Sequence, residues 1–592
     1  MPLHSDLSAL EASGLVRLSQ IEPELEYLFR HALIQDAAYH SLLRADRRRL
    51  HLSVGEALER LYPDRADTQE LAPLLGQHFD EGGDDPRALK YFTLAGDAAA
   101  RVYANAEAVA LYTRALEIAQ RTASLSSETL LHLYAQRGRA FELSNKYPEA
   151  LQNYVDMEAA AQARGDRALE LSALMLRATL HSTPTAVHDL AQGQQLCDQA
   201  LGLARELNDR PAEAKILWNL LLLNTHKGDI RGAIAYGEQS LAIAREIGLR
   251  EQIAFSLHDL ANTYLFVGEL PRAQVALAES QQLWLELNNL PMLADSLCNN
   301  CGFCVLTGQY DQAIALSEKA FNLSRNIDNL WDQSYSRFYI GYVYFDRGEM
   351  DQAFQTMEQC RALGEQAGFL VGMMQARAEM ALVYATLGDL RRAYKLTDDI
   401  FARLKELQQE THPYTWGLLA YLNVLDGKLE HAESILQRFP ENTDAGELTS
   451  GGVFVPLAQT ELALRQGNYP RVIELTERFK VAMRHRGIHQ YLPDVFYSCS
   501  RAFLGQGDTE AAQRELAEAR QAAETVGSRR MLWQILAALG QIEAQHGHPT
   551  EARNFYQQAQ AIIEYIASHI SDAELRQTFL SQPEVRRVKD EA

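Results

Sequence analysis

Three successive stretches decide the fold: Gly268-Glu269-Leu270-Pro271-Arg272-Ala273, Gly308-Gln309-Tyr310-Asp311-Gln312-Ala313 and Gly348-Glu349-Met350-Asp351-Gln352-Ala353. In each, a glycine opens a short polar turn and an alanine stands five residues on. The same glycine recurs at Gly228, Gly388, Gly427, Gly467, Gly507 and Gly547. The interval between successive marks is constant apart from a one-position shortening between Gly388 and Gly427, and at about 40 residues it is the period of a helical repeat. The residue five further is Ala233, Ala273, Ala313, Ala353, Ala393, Ala432, Ala512 or Ala552, with Val472 the exception. Glycine ends a first helix because it adopts the left-handed conformation cheaply, and a methyl side chain lets a second helix approach the first closely. Around one such turn Leu257, Leu260, Ala261, Tyr264 and Leu265 precede Gly268 and Ala273, Ala276 and Leu277 follow it, all at helical spacing. A single hairpin cannot cover that apolar face, whereas stacked neighbours can. The period therefore predicts a continuous superhelix with a concave and a convex surface.

Upstream the marks weaken. Asp189, Gln199, Leu201, Ala204, Arg205 and Glu206 recur one period later as Asp229, Gln239, Leu241, Ala244, Arg245 and Glu246, with Gly193 standing where Ala233 does. Ala150 and Ala108 mark two earlier units, giving about twelve hairpins between about residues 95 and 563. Length variation is expected in loops after second helices, as at His181 to Thr185 and Pro440 to Gly452.

The whole chain has 592 residues and a net charge of −22, which repels phosphate backbones and argues against direct nucleic-acid contact. No apolar run approaches the 18 or so residues of a membrane span, and Met1 to Asp6 lacks the features of a secretion signal. Six cysteines in such a length are no disulfide framework, so the chain reads as cytoplasmic.

The repeats resemble tetratricopeptide repeats (TPRs) in the longer form found in bacterial signalling ATPases. The family's Leu-Gly-x-x-Tyr pattern corresponds to Ile340-Gly341-Tyr342-Val343-Tyr344, its leading tryptophan to Trp416 and its Leu-Gly pair to Leu539-Gly540. Cys301 with Cys304, and Thr460 with Ala463, depart from it. A second resemblance lies in Phe29 to Tyr39, Leu42-Leu43-Arg44, Arg47 to His51, Ala88-Leu89-Lys90-Tyr91 and Ala95 to Ala99. These are similar to the junction between winged-helix and helical-repeat domains in STAND ATPases (signal-transduction ATPases with numerous domains), often fused to class III adenylate or guanylate cyclases, kinases or transcriptional regulators. Ile566-Ala567, Leu575-Arg576, Phe579-Leu580 and Pro583-Glu584-Val585 resemble the way such proteins end.

The resemblance implies an all-α, right-handed superhelical solenoid of about twelve TPR-like hairpins. It implies a winged-helix remnant and linker helix over 1–50, a helical adaptor with the first hairpins over 51–120, the superhelix over 121–563 and a capping helix over 564–592. The alternating Leu15 to Leu18 and Tyr27 to Phe29 are the one β signal. An upstream nucleotide-binding domain is expected to be missing: no G-x-x-x-x-G-K-[ST] is present, and Gly427-Lys428 runs into Leu429 on a repeat turn. The implied role is a non-catalytic sensing arm that takes a protein, peptide or small effector in its groove, with no cofactor and no membrane. The alternatives are the helical-repeat part of a transcriptional regulator and a fragment of a nucleotidyl cyclase or ATPase without its catalytic domains.

Several constellations offer chemistry beside a plainer reading. Cys298, Cys301 and Cys304 have thiolate spacing suited to zinc or an iron-sulfur cluster, yet fan over one helix without a fourth ligand and read as small core residues. His546 and His548 with Glu543 and Glu551, and His485 with His489, read as surface histidines. Arg44, Arg47, Arg48 and Arg49 read as a solvated helix face. In TPR geometry the first helix of each hairpin lines the groove, which places Trp218, His258, Asn262, Phe338, Tyr342, Tyr421, Tyr497 and Arg501 there, as core or as site. Phe338 and Tyr342, four residues apart on one helical face, are the expected anchors, lying open in the groove.

Overall fold

The computed structural model describes residues 2–20, 26–65, 68, 70–122, 125–406, 413–439 and 454–592. They form two compact units, Met1–Glu142 and Leu143–Ala592.

In the first unit strand Val16–Gln20 pairs antiparallel with Glu26–Phe29, setting Val16 opposite Phe29 and Leu18 opposite Tyr27. Among the described residues these are the only strands. Helices Ala32–Ser41, Arg44–Leu61, Leu71–Gly82, Asp85–Arg101 and Asn105–Arg121 follow. The arginine run is divided among separate partners: Arg47 lies over the Tyr39 ring, Arg48 donates to the Gly82 carbonyl at 3.3 Å, and Arg49 pairs with Asp46. Leu33 and Leu43 stay 80% and 73% exposed.

The second unit is the array of helical hairpins that the period predicts. Every turn glycine from Gly228 to Gly547 has φ between 72° and 90°, a conformation in which only glycine is unstrained. Each small residue five positions on is buried, Val472 included. One expectation about loops is corrected. His181 to Thr185 does not follow a second helix; it begins the turn inside a hairpin, between Arg167–Ser182 and Leu190–Leu207, where Asp189 caps the second helix through the Ala191 and Gln192 amides. Pro440 to Gly452 lies outside the described residues.

A second correction concerns range. A solenoid repeat is expected to touch its neighbours alone, yet here hairpins five units apart meet. A Cβ placed on Gly308 would stand 2.6 Å from Val526 Cγ1, and one on Gly348 2.7 Å from Ile566 Cγ1, and Gly268 faces Arg486 in the same way. The step along the chain from glycine to partner is identical in all three pairs, so the superhelix comes round on itself within this unit and seats its later turn on its earlier one. Backbone bonds join the turns where His489 and Gln490 donate to the Leu306 carbonyl at 2.8 and 3.2 Å, and Asp351 donates to the His569 carbonyl at 2.9 Å. The C-terminal helices Ala573–Leu580 and Pro583–Glu591 extend the contact, with Arg392 bound to Asp572 and Glu574 and Gln582 donating to the Thr386 carbonyl.

The most buried of these junctions is ionic. The fully buried Asp346 carboxylate accepts from Tyr310 (2.9 Å), Ser528 (2.7 Å) and Arg530 Nε (2.8 Å), and Arg530 also holds both oxygens of Asp494 at 2.8 and 2.9 Å. Burial pushes the Asp346 carboxyl above the ordinary range even with Arg530 beside it. The pair is therefore a poor source of net stability, but removing one member strands the other.

Two outcomes follow from this packing. Gly308→Ala and Gly507→Ala both force a methyl group into the left-handed region, at a cost of about 1 kcal/mol. Nothing lies within 4 Å of a Cβ at Gly507, whereas Gly308 abuts Val526, so Gly308→Ala should cost about 1–3 kcal/mol more in urea denaturation, and equal losses would contradict the turn-on-turn contact. Arg530→Met should cost about 3 kcal/mol at neutral pH. Hydrogen exchange at the His489 and Gln490 amides should quicken with it, while amides inside the hairpins keep their protection.

Candidate functional site

Counting back from each turn glycine, positions 13, 9 or 10, 6 and 3 of the first helices fall on one side, the i, i+3, i+7 stripe of a helix. In four consecutive hairpins that stripe presents Asn262 and Leu265, then Gly302 and Val305, then Phe338, Tyr339 and Tyr342, then Gln375 and Glu379, around one cleft. Gln490 and Tyr491, from the later turn of the superhelix, close it. The cleft holds about 50 Å³ of free space.

Local irregularities shape it. The first helix of the hairpin turning at Gly348 is broken into Leu330–Arg337 and Ile340–Asp346, and the two residues at the break, Phe338 and Tyr339, both line the cleft. Their rings meet edge to face at 4.7 Å, and Tyr342 meets Tyr491 at 5.6 Å. Gly302 makes room for the Tyr339 ring, whose Cζ lies 2.8 Å from where a Cβ would stand. Gln375 donates to Glu379 Oε1 at 2.9 Å, while Oε2 of Glu379, a residue only 6% exposed, has no protein partner.

Of the groove residues expected from the sequence, Asn262, Phe338 and Tyr342 come together in this cleft. Tyr342 is 6% exposed, with its hydroxyl 3.3 Å from Arg530, so it does not lie open: the later turn covers it. Trp218 and His258, 5% and 2% exposed, are spent between first helices. The Trp218 indole donates to Asp259 at 2.6 Å, and His258 Nε2 lies 3.2 Å from Asp295 and 3.0 Å from the Asn299 amide. Tyr421, Tyr497 and Arg501 stand elsewhere, Arg501 held by both oxygens of Glu461 at 2.6 and 3.2 Å and lying over the Tyr497 ring. Sequence reasoning missed Gln375, Glu379, Gln490 and Tyr491. A signal for Glu379 was present: Asn219, Asp259, Asn299, Tyr339 and Glu379 occupy the position nine before five successive turn glycines, an unbroken polar column.

The three clustered cysteines are buried among core side chains, where burial pushes the Cys304 thiol up to about 11 and Cys298 and Cys301 higher. Among the described residues the one group with metal-like spacing is Glu477, Cys499 and Glu515. The Lys480 ammonium already sits there, 2.5 Å from Glu477, 2.9 Å from Glu515 and 3.6 Å from the Cys499 sulfur. His548 pairs with Glu543 at 2.8 Å. No helix among the described residues is long and apolar enough to cross a membrane.

No family model matches the chain. Over 229 residues it is 24% identical to adenylate cyclase type 10 of Homo sapiens, a match taking in 35% of this chain. The chain thus spans 14% of the length of that curated relative. Its fold is similar to that in the crystal structure of the APC/C hetero-tetramer Cut9-Hcn1, with a TM-score of 0.50 and 12% identity over 89% of this chain and 96% of the other. A STAND protein with a tetratricopeptide repeat sensor from Pyrococcus horikoshii aligns with a TM-score of 0.41 and 15% identity over 68% of this chain and 59% of its own. At 12% identity the likeness to the APC/C structure is one of fold alone, a solenoid of TPR-like helical repeats.

The buried histidine gives a pH signature. Burial opposes its charge, but the Asp295 carboxylate outweighs that, with Asp259 and Asp332 adding, and holds His258 at about 9 against 6.5 when unfolded. A raised folded pKa means that its contribution is complete below about 6.5 and is lost as pH rises through 9. Stability should therefore fall by up to about 3 kcal/mol across that window. His258→Gln should flatten the slope in urea midpoints measured from pH 6 to 9; an unchanged slope would place its origin elsewhere.

Proposed function

We propose that the chain is the non-catalytic interaction and sensing arm of a STAND-type signalling protein, taking a protein, peptide or small effector in the cleft at the four first helices. The observation that carries this reading is the cleft's construction from both turns of the superhelix. An occupant there touches Phe338 and Glu379 on the earlier turn and Gln490 and Tyr491 on the later one. It therefore has different contacts when the turns are seated and when they part, the condition for a ligand to shift a conformational balance.

The likeness to adenylate cyclase type 10 favours a second reading: the helical-repeat part of a nucleotidyl cyclase, carrying no catalytic centre itself. Both readings give this chain the same task at the cleft and differ in the output domain it serves.

The cleft is tested by screening peptides and metabolites against the full chain by thermal shift and titrating the hits. Phe338→Ala should weaken binding by at least about 1 kcal/mol, the level of an interface hot spot. Tyr497→Ala, outside the cleft, should leave affinity unchanged. Ligands that bind Phe338→Ala as well as the original chain would move the site away from the cleft.

A further inference from the structure

We infer that the cleft is the seat of one primary ammonium group on a slim aliphatic stem, as at the tip of a lysine side chain, received by Glu379. This rests on the cleft being the ligand site and adds the chemistry of what enters it.

Four observations converge. The lining contains one acid and no lysine, arginine or histidine, so an anionic group would find no counter-charge there. Glu379 Oε2 is buried without a protein partner, protonated or not, at a cost in free energy that an ammonium donating to the ionised carboxylate recovers. The rings of Phe338, Tyr339, Tyr342 and Tyr491 line the same space, and aromatic rings attract cations while offering apolar contact to methylenes. The free volume of about 50 Å³ is far below the roughly 150 Å³ that accommodates benzene, so it suits an ammonium with a methylene or two better than a ring.

Neighbouring side chains hold the carboxyl there. A Cβ on Gly341 would clash first with Met357 Cγ at 2.5 Å and would also crowd Glu379 Oε2 at 3.3 Å, so Gly341 packs against both. Gln375 fixes the other oxygen and also donates to the Tyr414 hydroxyl at 3.1 Å, which sets the carboxyl plane.

Burial raises the Glu379 carboxyl to about 8, only partly offset by Gln375, so the empty site carries a proton at neutral pH. The other groups that face it, Tyr414, Tyr491 and Cys360, are all pushed up by burial and stay neutral through this range. Arg530, which reaches the Tyr342 hydroxyl, is committed to Asp346 and Asp494. Seating an ammonium therefore expels the Glu379 proton to solvent, and affinity rises with pH until the carboxyl is ionised.

The test uses the full chain with two probes, Nα-acetyl-lysine N-methylamide and its uncharged norleucine counterpart, titrated from pH 6 to 9 by calorimetry and ligand-observed NMR. The lysine probe should bind at least tenfold more tightly than the norleucine probe. Its affinity should rise about tenfold or more between pH 6.5 and 8.5, with about one proton released per probe at neutral pH. Glu379→Gln removes a buried acid without changing its shape. It should keep the denaturation midpoint or raise it while abolishing both the lysine preference and the pH slope. Equal binding of the two probes, a flat pH profile, or unchanged affinity in Glu379→Gln would overturn the assignment. If screened ligands respond to Phe338→Ala but the lysine probe does not bind, the ammonium assignment alone falls; if no ligand responds to Phe338→Ala, the cleft reading falls with it.

Discussion

The seating of one superhelical turn on another is the constraint on which the rest of the second unit depends. The hairpin tips at Gly268, Gly308 and Gly348 meet the ends of second helices at Arg486, Val526 and Ile566, and the offset is the same in each because all three spans cross the same five turns, the one shortened interval included. An array with a nearly constant period keeps rotation and rise per hairpin nearly constant, so a contact made once is made again one unit on. Asp346 and Arg530 sit inside that seam, where the cost of taking both charges out of water is met by Tyr310, Ser528 and Asp494. Hydrophobic packing alone would tolerate a slip between the turns. A buried ion pair with fixed partners does not.

That seam also creates the cleft. A solenoid with separated turns would present its first helices to solvent as a broad trough, and Tyr342 would be open. Here Gln490 and Tyr491 lie across four first helices, and what remains is a narrow space with one acid in it. The irregular break at Phe338 and Tyr339 falls inside this region. An interrupted helix gives up backbone hydrogen bonds, and its place beside the cleft ties that cost to the shape of the site.

The sequence disclosed some of these residues and hid others for identifiable reasons. Asn262, Gly302 and Tyr342, each six residues before its turn glycine, line the cleft in three consecutive hairpins, whereas Tyr421 and Arg501 hold the same position in later hairpins outside it. Trp218 and His258, ten residues before theirs, point sideways to Asp259, Asp295 and Asn299 on the following first helix. Phe338 shares their register position, yet it lines the cleft at the point where its helix breaks. Glu379 belongs to a polar column visible in the sequence, but nothing in one helix says whether such a residue meets a partner or an empty space. Gln490 and Tyr491 lie outside the repeat's register and reach the cleft through the later turn.

The amino-acid sequence by itself determined the hairpin, its period and the sites of its turns, because these rest on local chemistry. Glycine takes the left-handed conformation, a small side chain admits a neighbouring helix, and apolar residues at helical spacing need a cover. It also determined the short β-hairpin, through alternation over a few residues. Only the tertiary structure decided how many hairpins make a turn, that the turns touch, and which inward-facing side chains are left with space in front of them. Those outcomes depend on small rotations between successive hairpins. The rotations add up over five repeats until Gly308 meets Val526 and Gly348 meets Ile566, and no local pattern records such a sum.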